Sequence, residues 1–379
     1  MTSRKRLQTV LNGQIPDCVP VAPDTSNMIP ARLTGKPFWE LYLYNDPPIW
    51  RAYIDCVKYF GFDSLMDGYC PILFEELGEI NHDLKEYIIF RDENRIITQR
   101  AERAAGKYFW DRNVTVYDRD NPPSYIPACK LGFGNVPNHF EEVSGQQEFP
   151  QGEALLRLVK DELGEHGLVG VFCGTTKLLQ NEEDIYAYYD DPAPFHALRD
   201  EILANSVKRF HKLMSLDIRP DFICTGSSGT LTTQSLAIFR KLGLPIAKEI
   251  TRLCKEHGIP SHVHSCGPQA ELVKIMAEET DLTVIDPLEI PPMGNCDLAT
   301  LKRLYGDKIV LKGNLHTTEV MLRGSIANVI AASKRAIDDA AAGGRFILST
   351  GDQCGRDTPD ENIFALIETA RTYGRYLVE

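Results

Sequence analysis

The chain has 379 residues, a formal net charge of −12, and 43% apolar and 25% charged residues. This composition is typical of a globular protein with enough chain for a large core. The negative charge argues against nucleic acid or an anionic membrane as a partner, because both are polyanions. No apolar stretch approaches the roughly 20 residues that a membrane-spanning helix needs. The basic start Met1–Leu7 also lacks the apolar segment that follows in a signal peptide.

Short β-branched segments alternate with helix-length segments along the chain. This alternation predicts parallel strands that are joined by right-handed helical crossovers. Eight such units favour an α/β fold of the closed (β/α)8 TIM-barrel type, with an open doubly wound sheet as the alternative. The glycine-rich motifs of nucleotide-binding folds are missing from the sequence. The predicted strands are Cys18–Ala22, Phe62–Met66, Leu168–Cys173, Asp221–Thr225, Pro260–His264, Leu282–Asp286, Lys308–Gly313 and Arg345–Thr350.

The interval between the second and third predicted strands is far longer than one crossover requires. Within it, Tyr87–Phe90 and Arg95–Thr98 flank four polar residues, which predicts a β-hairpin, and residues 107–117 continue the strand pattern. We therefore predict one barrel domain over residues 1–379 with an inserted β-rich lobe at residues 75–150. Loops of such length tend to be functional. A surface elaboration or an oligomer contact, such as that of a homodimer, is the alternative.

Four side chains that can bind a metal follow the ends of predicted strands. His264 and Cys266 end the fifth strand, and residues two apart in an extended chain point the same way. Glu289 follows the sixth strand and Cys354 the eighth. In a (β/α)8 barrel these strand ends share one rim, where active sites lie. An imidazole, a carboxylate and two thiolates form a donor set for zinc rather than magnesium or calcium, so we predict a zinc site.

Other polar residues follow the same rim. Asp24 lies just past the first predicted strand, and Asp67 and Tyr69 lie past the second. Together with Glu289 they are the predicted catalytic or substrate-contacting residues, although such positions can also serve only loop structure.

The ten cysteines are scattered, which predicts reduced thiols in a cytoplasmic protein rather than a disulfide framework. Cys173 and Cys224 end the third and fourth predicted strands. Each is either a pocket wall or a substitute metal ligand, should Glu289 point away. His262 is expected inside the barrel.

Three further segments resemble the uroporphyrinogen decarboxylase superfamily, namely Arg4–Pro20, Leu311–Asn314 and Thr358–Ile363. The resemblance covers nearly the whole chain except the insertion, and it implies the (β/α)8 fold. The decarboxylases themselves carry an arginine-rich segment after the first strand, which holds the porphyrinogen carboxylates. Val21–Met28 stands there in this chain and has no arginine, which argues against porphyrinogen decarboxylation.

The other branch of the superfamily consists of zinc methyltransferases that work with corrinoid proteins. His264, Cys266 and Cys354 match its motif of His-x-Cys plus a distant cysteine. Cobalamin-independent methionine synthase has a similar order, with a glutamate placed as Glu289 is here. The resemblance implies a Zn²⁺ cofactor, a cobalamin or other corrinoid as co-substrate on a partner protein, and a small-molecule methyl donor.

Two subclasses of methyl transfer share this scaffold. In one, a thiol such as coenzyme M takes the methyl group from methylcobalt. In the other, zinc acts as a Lewis acid on the oxygen of a methyl ether while cobalt(I) attacks the methyl carbon. In both, Glu289 is the ligand expected to exchange, because oxygen binds zinc less tightly than thiolate does.

The aromatic residues of the predicted lobe favour the second subclass, an O-demethylase, because they could enclose a flat substrate. Packing of these rings within the lobe itself is the alternative. Two other functions stay open: a non-catalytic corrinoid-protein partner with structural zinc, and a decarboxylase-like lyase that uses Arg32, Arg51 and Arg356. The aromatic residues are Tyr87, Phe90, Tyr108, Phe109, Trp110, Tyr117 and Tyr125.

Overall fold

The computed structural model describes residues 1–376, which form two compact units. The second unit extends beyond the predicted lobe at residues 75–150, because a segment from the start of the chain belongs to it. That the chain is a single domain with an inserted lobe stays a prediction. The first unit comprises Met1–Thr25, Val57–Pro71 and Leu156–Glu379, and the second comprises Ser26–Cys56 and Ile72–Leu155.

Residues 1–376 contain twelve strands and fourteen α-helices, numbered in chain order. The strands are β1 (Ser64–Met66), β2 (Leu84–Arg91), β3 (Arg95–Ala104), β4 (Lys107–Asp118), β5 (Ser124–Pro127), β6 (Glu141–Glu142), β7 (Gly167–Phe172), β8 (Phe222–Thr225), β9 (Ser261–His264), β10 (Val284–Asp286), β11 (Val310–Leu315) and β12 (Phe346–Thr350). The helices are α1 (Ser3–Leu11), α2 (Met28–Thr34), α3 (Phe38–Tyr42), α4 (Ile49–Phe60), α5 (Gly152–Leu163), α6 (Glu182–Asp190), α7 (Ala193–Met214), α8 (Thr230–Thr233), α9 (Leu236–Leu242), α10 (Leu244–Glu256), α11 (Ala270–Glu279), α12 (Leu298–Tyr305), α13 (Ile326–Ala340) and α14 (Asp360–Thr372).

Seven parallel strands form the curled sheet of the first unit, in the order β1-β7-β8-β9-β10-β11-β12. Residues 18–22 complete it between β12 and β1. Val21 forms a parallel bridge with Leu348, and the Ala22 amide donates to the Leu348 carbonyl at 2.9 Å. On the other side, the Asp63 amide donates to the Val21 carbonyl at 2.8 Å. The TIM-barrel-like fold is therefore confirmed, and the open doubly wound alternative is excluded.

The barrel strands form where the sequence has short runs that are buried on both faces. Every residue of β8, β11 and β12 is buried. The surrounding helices bury one stripe each; α10, for example, buries Ile246, Ile250 and Leu253 at helical spacing. Among residues 1–376, no helix combines the length and the apolar character needed to cross a membrane.

The second unit contains a five-stranded antiparallel sheet in the order β5-β4-β3-β2-β6. Strands β2 and β3 form the predicted hairpin. On this sheet, the rings of Tyr87, Tyr108, Trp110 and Phe140 contact one another, with centroids 4.8 to 5.6 Å apart. Tyr117 belongs to an apolar cluster with Leu43 in the same unit. Tyr87, Tyr108, Trp110 and Tyr117 thus pack within the unit, which was the alternative to a substrate-enclosing role, whereas Phe109 and Tyr125 are exposed.

A buried ionic cluster supports the segment that completes the barrel. Asp63 is fully buried, and its carboxylate contacts Arg6 at 2.8 Å and Arg371 at 2.8 and 2.9 Å. The same carboxylate accepts a hydrogen bond from the Val21 amide at 2.9 Å. Asp63 therefore joins α1, α14 and the completing segment at a single point.

We predict that Asp63→Ala lowers the free energy of unfolding by about 3–5 kcal/mol, because it leaves two guanidinium groups without their buried partner. Urea unfolding followed by circular dichroism measures the change. The matched control is Lys255→Ala at the exposed Lys255–Asp281 pair, which should change stability by at most about 1 kcal/mol. Equal effects of the two substitutions would contradict the role of Asp63.

Candidate metal centre

The carboxyl-terminal rim of the barrel gathers side chains with thiol, imidazole and carboxylate groups. Cys266, Glu289 and Asp352 each have one ligand atom within 4.8 Å of the others. Asp24, His264 and Asp352 form a second group by the same measure. Asp352 belongs to both groups and so connects His264 to Cys266 and Glu289. Of the four ligands predicted from sequence, three are therefore neighbours of one carboxylate.

Cys354 lies on the same rim but belongs to neither of these groups among the described residues. Its thiol is buried, and its amide donates to the Asp24 carbonyl at 2.9 Å. Burial and the Asp24 carboxylate raise the pKa of this thiol to about 12. Hydrogen bonds with the Thr350 and Thr358 hydroxyls lower the pKa, but by less. A zinc shell that includes Cys354 stays a prediction.

The orientation of His264 is set by a buried carboxylate at the end of β10. Oδ1 of Asp286 lies 3.1 Å from Nδ1 of His264 and 3.0 Å from Nε2 of His262. Its second oxygen contacts the Lys312 ammonium. Burial alone would raise the pKa of Asp286, but Lys312 and the two imidazoles hold it well below its usual range. With Nδ1 engaged, His264 presents Nε2 to the rim, which is the arrangement of a metal-ligating histidine.

Beneath this contact, the network continues into the barrel. Nδ1 of His262 lies 2.9 Å from the Asp67 carboxylate. The Cys224 sulfur lies within 4.8 Å of ligand atoms of both residues. Burial lowers the pKa of His262, but Asp286 and Asp67 outweigh it and raise the value to about 9. The Asp67 side chain thus contacts an interior histidine. Its predicted contact with substrate, like that of the partly exposed Tyr69, stays a prediction.

The turn after β9 brings Cys266 and Glu289 together. The Gly267 amide donates to the Glu289 carboxylate, and the Ser228 hydroxyl lies 2.9 Å from the Cys266 sulfur. Gly267 has φ of 93°, and a Cβ there would lie 2.3 Å from Oγ1 of Thr232. Only glycine fits this turn without rearrangement.

Two residues of the site were missed by sequence reasoning. Asp352 follows β12 just as Cys354 does, so the strand-end rule that selected Cys354 could have found it. Ser228 follows β8 in the same way. Cys173, considered as a substitute ligand, is buried, and its thiol contacts the Ser206 carbonyl at 3.2 Å.

The donors present fit zinc by their chemistry. The two groups combine a thiol, an imidazole and carboxylates, whereas magnesium and calcium sites are built from oxygen atoms. Soft sulfur together with imidazole favours zinc among the common metals.

A cavity begins beside Glu289. Glu289, Ile290, Asn314 and His316 line its narrow part. A wider cavity of about 590 Å³ shares Ile290, Asn314 and His316 and has Leu315 among its apolar walls. Pockets of roughly 300–1,000 Å³ hold small organic molecules. Only the narrow part adjoins Glu289, and charged side chains such as Arg335 and Asp339 also line the wider cavity.

Residues 180–373 match the family model of uroporphyrinogen decarboxylase (URO-D). Methylcobamide:CoM methyltransferase MtbA of Methanosarcina mazei is 27% identical over 135 residues, which are 36% of this chain. The match spans 37% of that relative's length, little more than a third.

One solved structure is similar in fold, and a second gives a weaker match. A methyltransferase from Methanosarcina mazei superposes with a TM-score of 0.65 at 13% identity, covering 98% of this chain and 99% of its own. A B12-independent methionine synthase from Shewanella sp. W3-18-1 has a TM-score of 0.43 at 11% identity, covering 94% of this chain and 98% of its own. The first of them supports the barrel architecture described above. Since the family match covers slightly more than half of the sequence, the chain belongs to the uroporphyrinogen decarboxylase (URO-D) family.

Proposed function

We propose that this chain is a zinc-dependent methyltransferase that moves a methyl group between a heteroatom of a small molecule and the cobalt of a corrinoid protein. The observation that carries the proposal is the gathering of Cys266, Glu289, His264 and Asp352 on the barrel rim, beside a cavity of substrate size. The partial match to a relative named as a methylcobamide methyltransferase supports it.

His264, Cys266 and Cys354 would hold the zinc, with Glu289 as the ligand that yields to substrate. When bound, zinc supplies a Lewis acid that stabilises negative charge on the reacting heteroatom. Asp286 holds Nδ1 of His264 and so keeps Nε2 directed at the rim. The hydroxyl of Ser228, close to the Cys266 sulfur, can donate a hydrogen bond to the thiolate.

For the substrate we propose a methoxylated aromatic compound. Cobalt(I) of the corrinoid protein attacks the methyl carbon, the O–CH3 bond breaks, and the phenolate leaves with the electron pair. The products are methylcobalt and the phenolate, which takes a proton from water to give the phenol. The 590 Å³ cavity has the volume for a single aromatic ring, and its lining combines apolar residues such as Leu315 with charged ones such as Arg323. The rings of Tyr87, Tyr108 and Trp110 do not support this substrate, because they pack on one another.

The name of the relative favours a second candidate, the methylation of a thiol by methylcobalt. In that direction the thiolate sulfur attacks the methyl carbon, and cobalt(I) leaves with the electron pair of the cobalt–carbon bond. The same rim donors would serve, because the thiolate takes the place of the ether oxygen.

Zinc content gives the first test of the site. We expect about one zinc per chain, lost in Cys266→Ala and in Cys354→Ala, because each substitution removes a thiolate ligand. Elemental analysis after gel filtration measures the metal, and circular dichroism verifies the fold. Cys129→Ala, at an exposed cysteine of the second unit, should keep its zinc. Full zinc in both site variants would refute the assignment.

Glu289→Gln tests the exchangeable position. We expect most of the zinc to remain, because sulfur and imidazole ligands hold it, while turnover changes by about 10–100-fold. Steady-state kinetics on zinc-loaded protein measures the effect, with Glu278→Gln at an exposed glutamate as the matched control. Wild-type kinetics with intact zinc would mean that Glu289 only contributes to the structure of the rim.

The direction of transfer is tested with cobalt(I) cobalamin and a panel of methoxybenzoates. We expect the absorption spectrum to change to that of methylcobalamin, and we expect zinc removal to abolish this change, because phenolate is a poor leaving group without a Lewis acid. No methylcobalamin from any ether, together with rapid demethylation of methylcobalamin by a thiol, would establish the second candidate instead.

A further inference from the structure

Asp352 has a backbone conformation that few residues other than glycine adopt. Its φ is 132°, and it lies in the loop between β12 and Cys354. A side chain at this φ is strained, and such strain persists where the surrounding structure and function require it. A glycine, Gly351, comes directly before Asp352. The strained position itself nevertheless carries a carboxylate side chain.

The Asp352 carboxylate lies close to the donor atoms of both groups. One oxygen lies 3.7 Å from Nε2 of His264, the nitrogen that Asp286 does not engage. A carboxylate oxygen also lies within 4.8 Å of the ligand atoms of Cys266 and Glu289. Among the described rim residues, Asp352 alone belongs to both donor groups.

We propose that Asp352 is an oxygen ligand of the metal bound by His264 and Cys266. The inference rests on the proposed zinc site and adds a ligand to it. A carboxylate placed between imidazole and thiolate contributes the type of donor that exchanges most readily on zinc. Asp352 therefore shares the exchangeable position with Glu289, whose carboxylate also accepts the Gly267 amide hydrogen bond.

Two substitutions distinguish the effect of the carboxylate on zinc binding from the effect of the backbone strain on stability. Asp352→Gly removes both, so we expect the Tm of the metal-free protein to rise by roughly 2–5 °C, while the zinc dissociation constant rises about 10–100-fold. Asp352→Asn keeps the side-chain shape, so we expect the same loss of zinc affinity without a rise in Tm. Chelator competition measures the affinity, and differential scanning calorimetry measures the Tm.

The matched control is Ala105→Gly in the second unit, where a non-glycine residue also has positive φ, 49°. It should relieve backbone strain and leave zinc affinity unchanged. Cobalt(II) substitution adds a direct view of the ligands, since loss of an oxygen ligand shifts the d–d absorption bands. We expect such a shift in Asp352→Asn and none in Ala105→Gly.

Wild-type zinc affinity in both Asp352 variants would overturn the proposal. Weaker zinc binding with an unchanged cobalt(II) spectrum would also overturn it, because Asp352 would then act only through its contact with His264. Failure of the proposed function looks different: wild-type protein would bind no zinc, and Cys266→Ala would behave as wild type does.

Discussion

The ionised carboxylate of Asp286, buried in the barrel, is the constraint on which the rim depends. Its charge is tolerable there because Lys312, His262 and His264 surround it. Removing one partner from such a cluster leaves an uncompensated buried charge, which is strongly destabilising. The orientation of His264 is therefore fixed by the same interaction that allows a charge inside the barrel. Interior packing and the geometry of the proposed metal site thus depend on the same carboxylate.

The barrel could be predicted because its strands are buried on both faces and read as short apolar runs. All seven strands of its sheet coincide with predicted ones, with ends displaced by at most two residues. The first predicted strand, Cys18–Ala22, forms only isolated bridges. Pro20 lies within it and has no amide hydrogen to extend the ladder. The membership of Ser26–Cys56 in the second unit was not predicted, because contacts such as Phe38 to Arg119 span distant parts of the chain.

The candidate site, too, could be predicted from the sequence only in part. Strand ends share a rim by topology, which is why His264, Cys266 and Glu289 could be chosen from sequence together with Asp24. The neighbours of each side chain depend instead on loop conformation. Asp67 contacts His262, and Asp352 reaches between two donor groups from a strained φ. The strand-end rule could have selected Asp352 as a rim residue, but no periodicity or spacing encodes its strained φ or its closeness to both donor groups.

Residues 18–22, which complete the barrel, form a weakly bonded part of its wall. Between β12 and β1 the wall is held by a few backbone hydrogen bonds and by the carboxylate of Asp63, not by a full ladder. Regions with few such bonds open locally at lower free energy than the rest of a fold. This seam borders the loop that carries Cys354, whose amide is bonded across it to the Asp24 carbonyl. Local opening of the barrel wall should therefore also loosen the loop that carries Cys354.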